Sequence, residues 1–238
     1  MGIERFSDEG IRRVLCVVAH PDDLEYGASA AVHHWTSAGI EVAYLLFTSG
    51  EAGMQAPPEE VGPLRAAEQR EACAAVGVER LTILDHPDGV LQPSLDLRRD
   101  VAREVRTFRP DVVLTSTWAD EAPWGLNQAD HRVAGLAAVD GARDAGNPWV
   151  FRELVDREGL EPWHVSRLVV AGGSPLSHGI AVSDADVAAA VASLAAHRAY
   201  LADLPDHPSP DEFLPEMLAG QGRELGTDHA LLVRVHDL

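Results

Sequence analysis

The sequence predicts an α/β fold in which one mostly parallel, doubly wound β-sheet carries helices on both of its faces. Two observations support this prediction. Short β-rich runs alternate with helical segments along the first half of the chain. The first run, residues 12–19, is continuously apolar, as expected of a strand that is buried on both faces. Because parallel crossovers are right-handed, such an alternation winds helices onto both faces of the sheet.

The predicted elements follow one another with clear stop signals between them. Gly39 and Gly77 end the first two helices, and Pro110 ends the third. In order, the elements are strand 12–19, helix 24–37, strand 40–48, helix 63–76, strand 81–84, helix 95–108, strand 111–116, helix 131–145, a loop-rich connection at 147–165, strand 167–171, helix 184–204, a turn-rich break at 205–210, a short helix and a final apolar stretch at 230–235. Without an internal repeat or a long linker, residues 1–238 are predicted to form a single domain.

Composition excludes several classes of function. Apolar residues make up 46% and charged residues 24% of the chain, which is typical of a globular protein. The formal net charge of −19 argues against binding to nucleic acid or to membrane surfaces. The sequence has no apolar run long enough to span a membrane and no apolar signal core, so we expect a cytoplasmic protein. Cys16 and Cys73 lie in apolar and Ala-rich surroundings and should be buried thiols. Homo-oligomerisation is left open.

The sequence His20-Pro21-Asp22-Asp23 directly follows the first predicted strand. Ligands of doubly wound sheets bind beyond the carboxyl ends of the strands, so these side chains are placed where a site is expected. Imidazole nitrogens and carboxylate oxygens are suitable zinc ligands. Two adjacent aspartates do not easily point the same way, so one can bind a metal while the other acts as a base. The alternative is a solvated turn that caps a helix.

A second polar cluster, residues 127–131, opens the helix that follows the fourth predicted strand. His131 could meet His20 and Asp23 if the first and fourth strands are close to the switch point of the sheet. Three protein ligands with an open fourth position are typical of a catalytic zinc site. Asp130 could orient an imidazole by a hydrogen bond. A helix N-cap is again the alternative.

These motifs resemble the PIG-L (LmbE-like) family of metal-dependent deacetylases, which act on N-acetylated amino sugars and related compounds. The resemblance covers about residues 12–140 and implies a Rossmann-like fold, with residues 1–238 as one LmbE-like deacetylase domain. The matching segments are residues 19–23 and 130–132 with Gly135, and more weakly residues 48–53, Arg65 with Glu68, Gly77-Val78 and residues 88–91.

Carried onto this chain, the resemblance implies a role for each matching residue. His20, Asp23 and His131 would bind zinc, or another divalent transition metal. Asp22 would be the general base, and Asp130 is counted among the catalytic residues. Arg65 and Asp88 match positions that contact the substrate. The implied reaction is removal of an acyl group, most simply acetyl, from the amide nitrogen of a small polar substrate by zinc-activated water.

Gln128 departs from the family pattern, which has a histidine three residues before the last ligand. We count Gln128 as a catalytic residue because an amide can donate a hydrogen bond to an oxyanion, although it cannot deliver a proton. Either Asp22 handles both proton transfers, or another histidine approaches, or catalysis is weak. The alternative function is therefore a catalytically weak or inactive metal- or sugar-binding relative.

Two other functions are disfavoured by absent motifs. A nucleotide-binding protein would carry a glycine-rich phosphate loop after its first strand, where this sequence has His20 to Asp23. A serine esterase would carry a Gly-x-Ser-x-Gly elbow, which this sequence lacks. Further histidines occur in the first helix and at His86, His207 and His229, and we expect these to be structural or solvated.

Overall fold

A computed structural model of the protein describes residues 2–238, in which an eight-stranded sheet lies between two layers of helices. The strands are β1 (Glu4–Arg5), β2 (Arg13–Val18), β3 (Glu41–Leu46), β4 (Arg80–Ile83), β5 (Val112–Ser116), β6 (Glu121–Ala122), β7 (Gly125–Leu126), β8 (Arg167–Ala171), β9 (His178–Val182) and β10 (His229–Asp237). The helices are α1 (Ala28–Ser37), α2 (Pro58–Ala75), α3 (Leu95–Phe108), α4 (Ala129–Ala145), α5 (Arg152–Asp156), α6 (Asp184–Ala195), α7 (Arg198–Ala202) and α8 (Pro210–Leu225). Strands β6 and β7 form a separate two-stranded hairpin.

The strand order confirms the predicted doubly wound, mostly parallel sheet. The order is β1-β9-β10-β8-β5-β2-β3-β4, and within residues 2–238 only β10 runs antiparallel to its neighbours in this sheet. The chain moves outward from β2 through β3 to β4 and then returns to place β5 on the other side of β2. The switch point therefore lies between β2 and β5, where a crevice for ligands is expected.

Strand β2 shows why the sheet is covered on both faces. Val14, Cys16 and Val18 pack into the core under α1, α6 and α8. Leu15 and Val17 point the other way, into the core under α3 and α4. All five side chains are buried, so β2 is a continuous apolar run rather than an alternating one.

Both cysteines are buried free thiols, as predicted. Over residues 2–238, the structure contains no helix that combines the length and the apolar character needed to cross a membrane.

Several predicted boundaries in the first half are wrong. Helix α1 begins at Ala28 rather than at residue 24, because residues 21–27 form turns in which Asp22 and Gly27 have positive φ angles of 82° and 128°. A helix cannot run through such residues. Helix α2 instead begins five residues earlier than predicted, since Pro58 can occupy the first position of a helix without loss of a hydrogen bond.

The second half differs more from the prediction. The predicted helix 184–204 is divided into α6 and α7, with His197 between them. The connection at 147–165 contains the short helix α5. The predicted short helix after residue 210 is α8, with 16 residues. Strands β1, β6 and β7 were not predicted, because two residues give no periodicity, and β9 was not predicted because its sequence, His178–Val182, includes a histidine and a glycine and is not a continuous apolar run.

The histidine pair of α1 is structural, as predicted, and one member gives a pH-dependent contribution to stability. His34 Nε2 lies 2.9 Å from Asp8 Oδ2, and His33 Nδ1 lies 2.7 Å from Asp186 Oδ1. The hydrogen bond to Asp8 raises the pKa of His34. The stabilisation is therefore complete below the ordinary histidine pKa of about 6.5. It is lost as the pH rises through the higher pKa that His34 has in the folded protein.

We expect His34→Ala to lower the Tm by at most about 4 °C at pH 5.5 and by less at pH 8.5, because the pair is partly exposed and screened. Thermal unfolding followed by circular dichroism at both pH values measures the difference. An equal or larger difference at pH 8.5 would mean that the ion pair does not stabilise the fold.

Candidate active site

The functional side chains meet at the carboxyl ends of the parallel strands, around an open pocket of about 360 Å³. His20 follows β2, Asp88 follows β4, and Gln128 and His131 follow β5 and the β6–β7 hairpin. The pocket is thus at the switch point, as the order of motifs in the sequence predicted. It is lined by His20, Asp22, Asp23, Tyr26, Ala52, Gly53, Arg65, Asp88, Gly89, Gln128, His131 and Tyr200.

His20, Asp23 and His131 form a group that could hold a metal ion. Their candidate ligand atoms all lie within 4.8 Å of one another. Asp23 Oδ1 lies 3.0 Å from His131 Nε2 and 3.6 Å from His20 Nδ1. Helix α4 brings His131 close to the sheet because Gly135 faces the carbonyl oxygen of Ser116, where a Cβ would lie only 2.7 Å from that oxygen.

The other donor and acceptor atoms of these three residues are occupied by the protein. Asp23 Oδ2 accepts hydrogen bonds from the backbone N–H groups of Ala19 and His20, both at 3.0 Å. Asn127 Oδ1 lies 3.3 Å from His131 Nδ1, so that nitrogen can donate while Nε2 stays free as a ligand. Each residue therefore presents one ligand atom to the same point.

His20 is held from its far side by two carboxylates. Its Nε2 lies 3.0 Å from Asp88 Oδ1 and 3.4 Å from Asp130 Oδ2, so Nε2–H can donate to either and leave Nδ1 as the ligand atom. Asp130 is fully buried, and its oxygens also accept from the N–H groups of Gly89 and Leu91 at 2.7 and 3.1 Å. Asp130 does not line the pocket, so it positions His20 and the loop at residues 88–91.

The electrostatics of the group favour a bound cation. Burial lowers the pKa of His20, but Asp23, Asp130 and Asp88 outweigh burial and raise it to about 12. Burial opposes ionisation of Asp23 as well, yet His131 and His20 hold the pKa of this carboxyl well below its usual range. The carboxylates thus require positive charge beside them. Two imidazole nitrogens and one carboxylate oxygen are a donor set that suits zinc, so the residues fit a divalent metal ion.

Asp22 is oriented differently from Asp23. Its Oδ1 lies 3.3 Å from Arg65 Nη2, and its Oδ2 has no hydrogen-bond partner among residues 2–238. Burial raises the pKa of Asp22 to about 7, against the opposing effect of Arg65. Asp22 therefore lines the pocket with one oxygen anchored by Arg65, and interaction with Tyr200 also lowers its pKa against burial.

Arg65 is almost fully buried, and its guanidinium ties three segments together. Its Nη1 donates to Gly50 O at 2.9 Å and its Nη2 donates to Pro21 O at 2.7 Å. Its guanidinium carbon lies 4.1 Å from the ring centroid of Tyr200, which is a cation–π contact. Gly50 has a φ of 67°, and a Cβ there would overlap Arg65 Nη1 at 2.3 Å. Nη1 and Nη2 are therefore anchored to backbone carbonyls, Nε has no hydrogen-bond partner among residues 2–238, and the residue lines the pocket.

Asp88 and Gln128 both line the pocket. Asp88 Oδ2 accepts from Ala52 N–H at 2.7 Å, and Asp88 N–H donates to Glu51 at 2.9 Å. Interaction with His20 keeps the pKa of Asp88 low despite its burial. Gln128 is the N-cap of α4, but its exposed side chain makes no capping hydrogen bond. Its amide is therefore available to a bound molecule.

Sequence reasoning missed several residues that come from the second half of the chain or lie behind the site. Tyr26 and Tyr200 line the pocket, and Tyr26 Oη is 2.8 Å from His207 Nε2. His207 is therefore anchored at the pocket border, although a solvated turn was predicted there. Glu25 is fully buried behind the pocket, and burial raises its pKa to about 8. A tyrosine placed by tertiary packing leaves no local signal in the sequence.

Comparisons with known proteins identify relatives of this chain. Residues 15–142 match the PIG-L family, described as GlcNAc-PI de-N-acetylase. Diacetylchitobiose deacetylase of Thermococcus kodakarensis is 31% identical over 165 residues, which is 67% of this chain and 58% of that protein. The 1D-myo-inositol 2-acetamido-2-deoxy-alpha-D-glucopyranoside deacetylase of Kineococcus radiotolerans is 31% identical over 199 residues, with 66% of this chain and 51% of that protein covered. The chain thus spans between half and three fifths of the length of these curated relatives.

Solved structures have the same fold. N,N'-diacetylchitobiose deacetylase from Pyrococcus horikoshii superposes with a TM-score of 0.85 at 22% identity, covering 96% of this chain and 85% of that chain. A conserved protein from Thermus thermophilus has a TM-score of 0.77 at 27% identity, with 94% and 93% covered. The shared fold therefore covers at least 94% of this chain and extends well beyond residue 142.

Proposed function

The chain belongs to the PIG-L family, and from this premise we propose that it is a zinc-dependent hydrolase that deacetylates an N-acetylated amino sugar or its glycoside. One observation carries the proposal: the candidate metal group and the second aspartate, Asp22, line the same pocket. The names of the two curated relatives support an acetamido sugar as the substrate class.

In the proposed reaction, His20, Asp23 and His131 hold the metal ion. When bound, zinc lowers the pKa of water and polarises the amide carbonyl. Asp22 Oδ2 takes one proton from the attacking water and returns it to the leaving nitrogen. The water oxygen bonds to the carbonyl carbon, the C–N bond breaks, and acetate and a free amine are released. Arg65 keeps the other oxygen of Asp22 in place.

The remaining pocket residues are proposed to bind substrate. Asp88 is a low-pKa carboxylate that can accept hydrogen bonds from sugar hydroxyl groups. Arg65 remains a predicted substrate contact through the part of its side chain that lines the pocket. Asp130 acts through His20 and the loop at residues 88–91.

A panel assay for free-amine release tests the proposal on zinc-loaded protein. The panel contains N-acetylglucosamine, N,N'-diacetylchitobiose, an N-acetylglucosaminyl phospholipid and an N-acetyl amino acid. We expect turnover of at least one acetamido sugar and none of the amino acid. Turnover of the N-acetyl amino acid alone would refute the sugar substrate. A fully zinc-loaded protein that turns over none of these compounds would favour the alternative, a metal- or sugar-binding relative with Gln128 in place of the usual histidine.

Gln128 offers a separate test of the mechanism. If its amide donates to the developing oxyanion, Gln128→Ala should lower kcat by about 100- to 1,000-fold where the donor is well aligned. If the side chain only contacts the substrate, KM should change and kcat should not. Gln128→His should keep the metal, and because a histidine that delivers a proton must be protonated, its contribution to the rate should be lost as the pH rises through about 6–7. Steady-state kinetics decide, and an unchanged kcat for Gln128→Ala would remove Gln128 from the mechanism.

A further inference from the structure

The backbone of Asp22 has a conformation that non-glycine residues rarely adopt. Its φ angle is +82°, in the left-handed region, and it lies between the two candidate ligands His20 and Asp23. Such a conformation persists only where the surrounding structure holds it. Something in the fold must therefore stabilise this residue against a return to an ordinary backbone geometry.

Gln69 of α2 provides one such contact from beneath the pocket. Its side chain is almost completely buried, and its Oε1 accepts a hydrogen bond from the backbone N–H of Asp22 at 3.0 Å. The two residues are 47 positions apart, so this contact is tertiary. Gln69 belongs neither to the pocket lining nor to the candidate metal group.

Glu25 fixes which end of the Gln69 amide faces Asp22. Gln69 Nε2 donates to Glu25 Oε1 at 3.0 Å, and Glu25 is fully buried. If the amide were flipped, its NH₂ group would face the N–H of Asp22, and two donors would oppose each other. Glu25 itself lies three residues after Asp22, and its N–H donates to Asp22 O at 2.9 Å. The turn is thus held at both peptide groups of Asp22.

This turn directs the two adjacent aspartates to different tasks. Asp23 presents Oδ1 to His20 and His131, whereas Asp22 turns Oδ1 to Arg65, and its buried Oδ2 accepts no hydrogen bond from residues 2–238. A change in the φ angle of Asp22 would rotate its side chain relative to the fixed metal group. Displacement of a reacting group by about 1 Å can cost about 100-fold in rate.

We propose that Gln69, oriented by Glu25, is a positioning residue that holds the base Asp22 in its productive left-handed conformation. The inference rests on the proposed function, since it assigns a partner to the base of that reaction. Gln69 acts through Asp22 and does not contact the substrate.

The test uses Gln69→Met, which keeps the size of the side chain and removes both hydrogen bonds. We expect kcat to fall about 10- to 100-fold, with KM and metal content unchanged. Gln221→Met is the matched control. Gln221 lies on α8, away from the pocket, and its Oε1 accepts a hydrogen bond from the backbone N–H of Leu232 at 2.6 Å. The control should keep kcat within about twofold.

A double-mutant cycle separates positioning from a general loss of structure. In the Asp22→Asn background the base is already absent, so Gln69→Met should cost no further activity. A purely structural role would instead multiply the two losses, and that result would overturn the inference. If Gln69→Met fails to fold, Glu25→Met and Glu25→Gln decide: the first should reproduce the loss of kcat, and the second should retain activity because it keeps an acceptor.

Hydrogen exchange gives a readout that does not depend on turnover. The Asp22 amide should be protected in the native protein and should exchange faster in Gln69→Met, while amides of β2 stay unchanged. If the wild-type protein hydrolyses no acetamido sugar, the proposed function fails, yet this measurement still tests the contact. Unchanged exchange at Asp22 together with unchanged kcat would overturn the inference.

Discussion

Asp22→Asn should retain the metal ion and lose about 100- to 10,000-fold of the turnover number, which is the usual cost of removing a general acid–base group. The structure gives the reason. The variant amide would keep its oxygen toward Arg65, which is a donor, and would place its NH₂ group where the free Oδ2 lies. An NH₂ group cannot accept a proton from water. Metal titration and steady-state kinetics on the zinc-loaded variant measure both effects.

Asp23→Asn is the matched control for this experiment, with the opposite expected outcome. Two backbone N–H groups donate to Asp23 Oδ2, so the variant amide would direct its oxygen to them and its NH₂ group toward His20 and His131. The metal affinity should therefore fall, and activity should fall with occupancy. If Asp22→Asn lost the metal and Asp23→Asn kept it, the roles of the two aspartates would be reversed.

Substitution of any ligand should empty the metal site. Purified protein should carry close to one divalent ion per chain, and His20→Ala, Asp23→Ala and His131→Ala should each lose it. Each of these residues supplies one of the three converging atoms, and the remaining pair leaves a site with too few protein ligands for a catalytic zinc. Elemental analysis after gel filtration measures the occupancy, and activity should fall in proportion.

His86→Ala is the control for these variants. His86 also belongs to a His-Pro-Asp sequence, but its Nε2 pairs with Asp100 Oδ2 at 2.8 Å, outside the metal group. The His86→Ala variant should keep full occupancy of the metal site. Full occupancy in all three ligand variants would show that the metal binds elsewhere.

The convergence of His20, Asp23 and His131 could be predicted from the sequence because His20 and Asp23 lie directly beyond the end of a strand. The apolar run before His20 marks a buried strand. Residues that follow neighbouring parallel strands then meet at the same edge of the sheet. His131 needed the further assumption that the fourth strand lies beside the first. These two predicted strands are β2 and β5, and they pair with each other in the sheet. The resemblance to a known family supplied the roles that spacing alone left open.

The supporting residues could not be predicted, because tertiary packing places them. The left-handed turn at Asp22 depends on Gln69, which is 47 residues away, and the pocket residue Tyr200 comes from a helix after the family match. Neither position carries a local pattern. The same turn explains the error at the start of α1, since helical composition after residue 24 gave no sign of a positive φ angle.

The central claim, that this pocket performs metal-dependent deacetylation, is tested most directly by removing and restoring the metal. Chelator-treated protein would be assayed on N,N'-diacetylchitobiose before and after addition of one equivalent of zinc, with acetate and free amine measured together. We expect activity to be lost on chelation and restored by zinc, with acetate and amine released in equal amounts, in the wild-type protein but not in Asp22→Asn. Equal release of acetate and amine by the metal-free protein, or by zinc-loaded Asp22→Asn at the wild-type rate, would contradict it.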